Sequence, residues 1–198
     1  NGDPANDNVE GMTEQSDRSR TGGRHGGDLK GIANSLDYLK DLGVTAIWLN
    51  PFLENNQQRS SYHGYSTTDF YRSDPRYGTN DEFRQLVSQA HNKGLKVVMD
   101  MIFNHIGSGH WWMKDLPSRD WIHQFDEFAR TNYKASTYMD PYAARCDVRL
   151  MEQGWFDVTM PDLAQSNPLV ETYLTQNSLW WIAYSDLDGS RMDTYPYP

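Results

Sequence analysis

The chain has 198 residues and a formal net charge of −9 at pH 7. This acidic balance argues against nucleic acid as a partner. No apolar run approaches the about 18 residues of a membrane span, so no membrane partner is expected. The single cysteine, Cys146, excludes an internal disulfide and does not fix the compartment, for which we favour a periplasmic or extracytoplasmic location. The polar start at Asn1 and the end soon after a strand-like motif predict a fragment of a longer protein.

The first predicted elements are a helix and a strand that follow a polar segment. Residues 1–27 are rich in glycine and predict a loop without helix. Asp28 is expected to cap a helix that ends at Gly43. The apolar positions of that helix recur at helical spacing, at Leu29, Ile32, Leu36 and Leu39. A continuous apolar strand is predicted over 44–49, and a loop over 54–80.

The rest of the chain repeats the order of helix and strand. Asn80 is expected to cap a second helix, and an apolar strand follows over 95–103. The segment 106–158 is dense in aromatic and charged residues, and structureless loops of this length are uncommon, so an inserted subdomain is predicted there. A third helix is expected to open at Asn167–Pro168, and a last strand to begin at Gly189.

The order of these elements predicts an α/β fold with a parallel sheet, because the strands are apolar on both faces and alternate with helices. Several polar side chains fall at or near the C-terminal ends of the strands: Asn50, Asp100, Asn104, His105, Arg191 and Asp193. A (β/α)8 barrel builds its active site at that edge. A doubly wound sheet also binds ligands there, so the pattern favours the barrel and leaves the other fold open.

The last predicted strand carries Arg191 and Asp193 two residues apart, which points both side chains to one face. A neighbouring guanidinium keeps a carboxylate ionised. An ionised carboxylate is what nucleophilic attack on a sugar carbon requires. A buried structural ion pair is the alternative interpretation.

Three sequence blocks, met in order, resemble the α-amylase family of glycoside hydrolases. They are the segment from Gly64 to Thr79, the segment Asp100-Met101-Ile102-Phe103-Asn104-His105, and the segment Gly189-Ser190-Arg191-Met192-Asp193. The resemblance implies part of a (β/α)8 TIM barrel, about its second to fourth strands, with a subdomain inserted after the third strand. It divides the chain into a first barrel part over 1–105, the inserted subdomain over 106–158 and the barrel continuation over 159–198.

The resemblance also implies the catalytic roles. Asp193 is expected to be the nucleophile of a retaining hydrolase. Arg191 would hold it ionised and aligned, and Asp100 would organise Arg191 from the neighbouring strand. The acid/base glutamate of the family belongs to the strand after Pro198, so the 198 residues alone are expected to be inactive.

Further residues of these blocks are expected to bind substrate. His105 would donate a hydrogen bond to a sugar hydroxyl, and Tyr65 would stack beneath the same sugar ring. A buried histidine bonded to the backbone, and simple packing of the tyrosine, are the alternatives. His63, beside Tyr65, and Asn104, which is expected to shape the loop, complete this set.

The N-terminal segment resembles the calcium loop of neopullulanases and cyclomaltodextrinases. Carboxylate, amide and backbone oxygens are calcium ligands. A structural Ca²⁺ is therefore expected at Asn1, Asp3, Asn6, Asp7, Gly26 and Asp28, with a solvated acidic turn as the alternative. Met160-Pro161-Asp162-Leu163 resembles a further block of this subgroup. Its usual lysine is replaced by Asp162, which weakens the case for a cyclodextrin preference.

The expected activity is retaining hydrolysis of α-1,4-glucosidic bonds in maltooligosaccharides, pullulan or cyclodextrins. Two alternatives stay open. One is a transglycosylase or isomerase of the same family that uses the same Asp193 intermediate, and the other is a non-catalytic barrel that binds glycan or a protein partner. The resemblance further implies a homodimer formed through regions outside this chain.

Overall fold

The structure, a computed structural model, describes residues 2–124 and 127–194. Its first part contains α1 (Leu29–Asn34), α2 (Leu36–Asp41), β1 (Ala46–Leu49), β2 (Leu53–Glu54) and β3 (Asp69–Ser73). The Asp28 carboxylate accepts a hydrogen bond from the Gly31 N–H at 2.6 Å, which confirms the predicted cap of α1. The helix predicted up to Gly43 is interrupted at Ser35, where α1 ends and α2 begins.

The loop predicted over 54–80 contains part of a strand pair that the sequence pattern did not indicate. Leu53 of β2 pairs with Ser73 of β3, and the two strands run antiparallel. Because β2 has only 2 residues, it shows no alternation that a pattern search could detect. The segment between these strands carries Tyr65 and leads it towards the sheet.

The second part contains α3 (Asn80–Asn92), β4 (Lys96–Ile102), α4 (Arg145–Gln153), α5 (Pro168–Ser185) and β5 (Gly189–Asp193). The cap of α3 is Thr79 and not Asn80, because Thr79 and Glu82 form a reciprocal capping box. Asn167 caps α5 as predicted, with Pro168 in the first helical position. None of the helices in the described residues is long and apolar enough to cross a membrane.

The central feature is a parallel sheet in the order β1, β4, β5. Helix α3 lies between β1 and β4 in the chain, and α5 precedes β5. The three strands of this sheet are therefore neighbours in the same order in which they occur along the chain, which is the arrangement of a (β/α)8 barrel. A doubly wound sheet reverses its strand order at a switch point, and these strands show no such reversal.

The core lies between this sheet and the helices α3 and α5. Phe52, Phe83 and Trp181 contact one another, with ring centroids 4.1 to 5.9 Å apart. Trp181 is fully buried, and its Nε1 donates to the Phe70 carbonyl oxygen at 2.8 Å. Aromatic burial of this kind stabilises a fold strongly. Here it also fixes β3, which carries Phe70, against α5.

The segment 106–158 packs on this framework through aromatic side chains. Trp112 and Trp121 are buried, their ring centroids lie 5.0 Å apart, and Trp112 contacts Tyr173 of α5 at 4.9 Å. A backbone bridge joins Ile122 to Leu163. The inserted segment therefore shares a core with the barrel part, and its boundaries as a subdomain stay a prediction.

Candidate active site

Two carboxylates and one guanidinium meet at the C-terminal edge of the sheet. Asp100 of β4 lies beside Arg191 of β5 in the parallel register, and Ile102 lies beside Asp193. Arg191 Nη1 donates to the Asp100 oxygens at 3.1 and 3.2 Å and also to Asp193 Oδ1. One guanidinium nitrogen therefore joins Asp100 to Asp193.

The environment of Asp100 is closed. Its side chain is fully buried and also accepts hydrogen bonds from Trp48 Nε1 at 3.0 Å and from the Tyr65 hydroxyl at 3.3 Å. Burial raises the pKa of Asp100, although the hydrogen bonds from Arg191 and Trp48 oppose the change. Asp100 is thus held by three donors and is shielded from solvent.

Asp193 and Arg191 keep access to solvent. Their side chains are 17% and 35% exposed. Burial lowers the pKa of Arg191, but the hydrogen bonds to Asp100 and Asp193 outweigh it and raise this pKa overall, so the guanidinium stays charged. The guanidinium also lies over the Trp48 ring, 5.0 Å from its centroid. Trp48 was missed as a site residue, and its only signal was an aromatic side chain close to the end of an apolar strand.

Thr194 follows the nucleophile candidate directly and has a left-handed backbone with φ 51. This conformation is unfavourable for a β-branched residue. Thr194 Oγ1 lies 3.4 Å from Asp193 Oδ2 and is the partner described for that oxygen. Asp193 therefore has one oxygen bound firmly by Arg191 and a second oxygen bound weakly.

Tyr65 borders the carboxylate cluster on the side of the segment between β2 and β3. The turn before it depends on Gly64, which has φ 81 and whose added Cβ would lie 2.3 Å from the Pro51 carbonyl oxygen. The Tyr65 N–H donates to His63 Nδ1 at 2.9 Å, and the two rings are stacked 6.0 Å apart. Burial, then the charge of Asp100, raises the pKa of Tyr65, and burial lowers the pKa of His63.

His105 is buried next to this cluster. Its Nε2 donates to the Tyr65 carbonyl oxygen at 2.9 Å, and its Nδ1 accepts from Asn104 Nδ2 at 3.3 Å. Burial lowers the pKa of His105 to about 4, so the ring is neutral near pH 7. One face of the His105 ring stacks on Phe156, with the ring centroids 5.4 Å apart. Both ring nitrogens have protein partners, and donation to a sugar hydroxyl stays a prediction.

The expected calcium loop has a different organisation in this structure. Asn1 lies outside the described residues, and Asp28 is almost fully buried. The Asp28 oxygens accept from the N–H groups of Gly2 and Asp3, both at 2.8 Å, and of Gly31 at 2.6 Å. Burial raises the pKa of Asp28, but these backbone donors outweigh it and lower this pKa overall.

A carboxylate surrounded by N–H donors does not present its lone pairs to a cation. Asn6 also turns its amide nitrogen, not its oxygen, towards Asp28, at 3.4 Å. Within the ranges 2–124 and 127–194, no three His, Cys, Asp or Glu side chains converge to hold a metal. The assignment of Asp3, Asn6, Asp7, Gly26 and Asp28 as calcium ligands stays a prediction, on which no later step depends.

Comparison with known proteins identifies the family. The family model described as alpha amylase, catalytic domain, matches residues 5–197. A cyclomaltodextrinase of Thermoanaerobacter pseudethanolicus is 35% identical over 98% of this chain and 32% of its own length. Neopullulanase 2 of Thermoactinomyces vulgaris is 33% identical over 98% of this chain and 31% of its own length. The chain therefore spans about a third of the length of these relatives.

The fold agrees with a solved structure of the same family. A crystal structure of an Anoxybacillus α-amylase superposes with a TM-score of 0.81 at 38% identity and covers 100% of this chain and 39% of that chain. The two relatives named above belong to the subgroup that the sequence blocks resemble. The chain belongs to the α-amylase family, and its sheet and helices are a part of that family's catalytic (β/α)8 barrel.

Proposed function

We propose that the protein is a retaining α-glucan hydrolase that cleaves α-1,4-glucosidic bonds, with Asp193 as its nucleophile. The observation that carries this proposal is the single guanidinium nitrogen of Arg191, which binds both Asp100 and Asp193 while Asp193 keeps contact with solvent. The relatives named cyclomaltodextrinase and neopullulanase support a maltooligosaccharide, cyclodextrin or pullulan as the substrate.

The first step would use the two unlike oxygens of Asp193. Oδ1 is bound to Arg191, whereas the described partner of Oδ2 is Thr194 at 3.4 Å. Oδ2 would attack the anomeric carbon, and the bond from this carbon to the leaving oxygen would break as the covalent glycosyl-enzyme forms. Arg191 would hold the carboxylate in the alignment that this attack needs.

A second carboxyl group must protonate the leaving oxygen and then activate water, at about 5–5.5 Å from the nucleophile. Asp100 is unsuited to this task because it is fully buried and both its oxygens accept from Arg191. The family resemblance assigns the role to a glutamate on the strand that follows β5.

Covalent trapping tests the nucleophile directly. A 5-fluoro-α-glucosyl or maltosyl fluoride carries a leaving group that needs no acid catalyst, so the natural polypeptide that carries this chain should form a stable ester. Peptide mass spectrometry should locate the added sugar on Asp193, and Asp193→Asn should abolish it. Asp74→Asn is the matched control, since Asp74 is a buried carboxylate paired with an arginine away from this edge. A label elsewhere, or none, would contradict the proposal.

Analysis of the products and of the ester formed by the same natural polypeptide distinguishes hydrolysis from the alternatives. Products formed at high maltooligosaccharide concentration would be longer than the substrate if a sugar acceptor competes with water. A binding protein without chemistry would take up the oligosaccharide and form no ester at Asp193. Only shorter products, together with the ester, are expected for the hydrolase.

A further inference from the structure

A buried acidic side chain of the segment after the insertion lies close to the candidate site and has no part in the proposed chemistry. Asp162 is 2% exposed. Its Oδ2 accepts from His123 Nδ1 at 2.7 Å, and its Oδ1 accepts from Asn104 Nδ2 at 3.1 Å. Burial raises the pKa of Asp162 to about 7, although His123 and Asn104 oppose this. A buried carboxylate is costly unless it is well bonded, so these two partners are needed to keep it in place.

The hydrogen bonds continue from Asp162 to the site. Asn104 uses the same amide nitrogen to donate to Asp162 at 3.1 Å and to His105 Nδ1 at 3.3 Å. The Tyr65 carbonyl oxygen can only accept, so the proton of His105 resides on Nε2 and Nδ1 is the acceptor. The side chain of Tyr65 then reaches Asp100 through its hydroxyl at 3.3 Å.

The orientation of the Asn104 amide is the critical link. An amide has a donating nitrogen and an accepting oxygen, and only the nitrogen can bind both a carboxylate and the unprotonated nitrogen of an imidazole. Asn104 Oδ1 is buried and has no hydrogen-bond partner among the described residues. In this orientation the amide oxygen makes no hydrogen bond with the described residues. The orientation is therefore favoured by the acceptor of the amide nitrogen, which is the carboxylate of Asp162.

We propose that Asp162 and His123 are positioning residues that orient the Asn104 amide and thereby fix the Nε2–H tautomer of His105 beside Tyr65. His123 holds the far oxygen of Asp162 and is itself 20% exposed at its side chain. The pair connects the inserted segment, which carries His123, to the end of β4, where Asn104 and His105 follow. The proposal rests on the proposed function for its effect on rate, whereas the tautomer is a property of the folded chain alone.

Two substitutions of Asp162 distinguish the loss of the hydrogen-bond acceptor for Asn104 from a mere change of side chain. In Asp162→Asn, the new amide oxygen still accepts from Asn104, so the tautomer of His105 should be retained. In Asp162→Leu, the branched shape is kept and the acceptor is lost, so Asn104 is free to turn its oxygen to His105 Nδ1. That oxygen would then compete with the Tyr65 carbonyl oxygen for the single ring proton, and the two tautomers should mix. Asp162→Ala also removes the acceptor, with a smaller side chain, and serves if Asp162→Leu does not fold.

The readout is ¹⁵N–¹H NMR of the histidine rings in the natural polypeptide that carries this chain, with His105 assigned through its loss in His105→Gln. The wild-type chain and Asp162→Asn should show the Nε2–H form of His105. Asp162→Leu or Asp162→Ala should show a mixture of tautomers. An unchanged His105 spectrum in a folded Asp162→Leu or Asp162→Ala would overturn the proposal, whether or not the protein is an enzyme.

The kinetic readout uses the natural polypeptide that carries this chain. In Asp162→Leu, kcat should fall about 10- to 100-fold, as happens when the hydrogen-bond partner that orients a functional histidine is lost, and KM should change less. His91→Gln is the control, because His91 makes an equally short bond of 2.7 Å to Asp188 just before β5 begins, at the opposite end of the sheet. A drop in kcat as large in His91→Gln as in Asp162→Leu would contradict a role specific to the site.

Discussion

Two arginine–aspartate pairs with the same spacing behave differently in this molecule. Asp74 and Arg76 are both fully buried at their side chains and bond through two contacts, of 2.8 and 2.6 Å. The remaining donors of Arg76 are also used, by the carbonyl oxygens of Glu14 at 2.7 Å and Asn55 at 2.9 Å and by the Ser61 hydroxyl oxygen at 3.1 Å. Arg76 therefore ties the N-terminal segment to β2 and the turn before α3, and it has no capacity left for a ligand.

Arg191 and Asp193 are also two residues apart, but their pair is open. The hydrogen bonds described for Arg191 all leave from Nη1, and its side chain is 35% exposed, compared with 0% for Arg76. Solvent access and unused donors therefore distinguish the ion pair at the candidate site from the closed pair of Asp74 and Arg76. The spacing of the two residues does not.

The largest expected effect separates the two aspartates. Asp193→Asn should lower kcat of the natural polypeptide by about 10⁴-fold or more, because an amide of the same shape cannot act as the nucleophile. The melting temperature should change little, since Asp193 is not fully buried. Asp74→Asn should do the opposite, lowering the melting temperature while each folded molecule keeps its rate. Steady-state kinetics and a thermal melt on both variants decide, and normal turnover by Asp193→Asn would remove the proposed nucleophile.

The next effect concerns stability at the closed pair. Arg76→Leu should reduce the free energy of unfolding by about 3–5 kcal/mol, because Asp74 is then left as an unpaired buried charge. The double variant Arg76→Leu with Asp74→Leu should recover much of this loss, since it leaves no charge behind. Urea unfolding of the single and double variants measures both values. Equal stability of the single and double variants would mean that an unpaired Asp74 charge does not cause the loss.

A smaller change is expected at the open pair. Arg191→Lys keeps one positive charge, but a single ammonium cannot reproduce the geometry with which a guanidinium joins Asp100 and Asp193. We expect kcat to fall about 10²- to 10³-fold, the range for losing one preorganised electrostatic contact in an active site. Arg76→Lys, as the control, should change stability and leave kcat unaltered. Equal kinetic loss in both variants would refute the distinction drawn between the pairs.

The sequence was sufficient for the parts of this arrangement that depend on local pattern. The apolar runs that became β1 and β4 have no polar interruption on either face except near their ends, so both the parallel sheet and its polar edge could be predicted. Arg191 and Asp193 share a strand, and alternation alone places them on one face. The capping box at Thr79 also has a local signal, a threonine followed three residues later by Glu82, although the prediction of Asn80 as the cap was wrong by one residue.

Contacts between distant segments could not be predicted in this way. Trp48 reaches Asp100 across 52 positions of the chain, and His123 reaches Asp162 across 39 positions. Each contact depends on register and on the path of a loop, neither of which leaves a periodic signal. The acidic N-terminal segment shows the same limit, since composition could not reveal that Asp28 also binds the backbone N–H groups of Gly2 and Asp3.

The smallest effect is a difference in the pH dependence of stability between the two buried aspartates. Burial raises the pKa of Asp74, but the bonds from Arg76 outweigh it, so its folded pKa lies below the ordinary 3.8. The stability that Asp74 contributes is therefore present above pH 3.8 and lost as the pH falls through the folded pKa. Burial raises the pKa of Asp100 above 3.8, so its protonated form favours folding, and this contribution is lost as the pH rises from 3.8 through the folded pKa.

Asp74→Asn and Asp100→Asn should accordingly change the slope of stability against pH in opposite directions, each by at most about 1.4 kcal/mol per pH unit for one proton. Urea unfolding between about pH 3 and pH 6 measures both slopes. Slopes that change in the same direction would show that Arg191 protects Asp100 as completely as Arg76 protects Asp74. The two sites would then not differ in how strongly the arginine stabilises the ionised carboxylate.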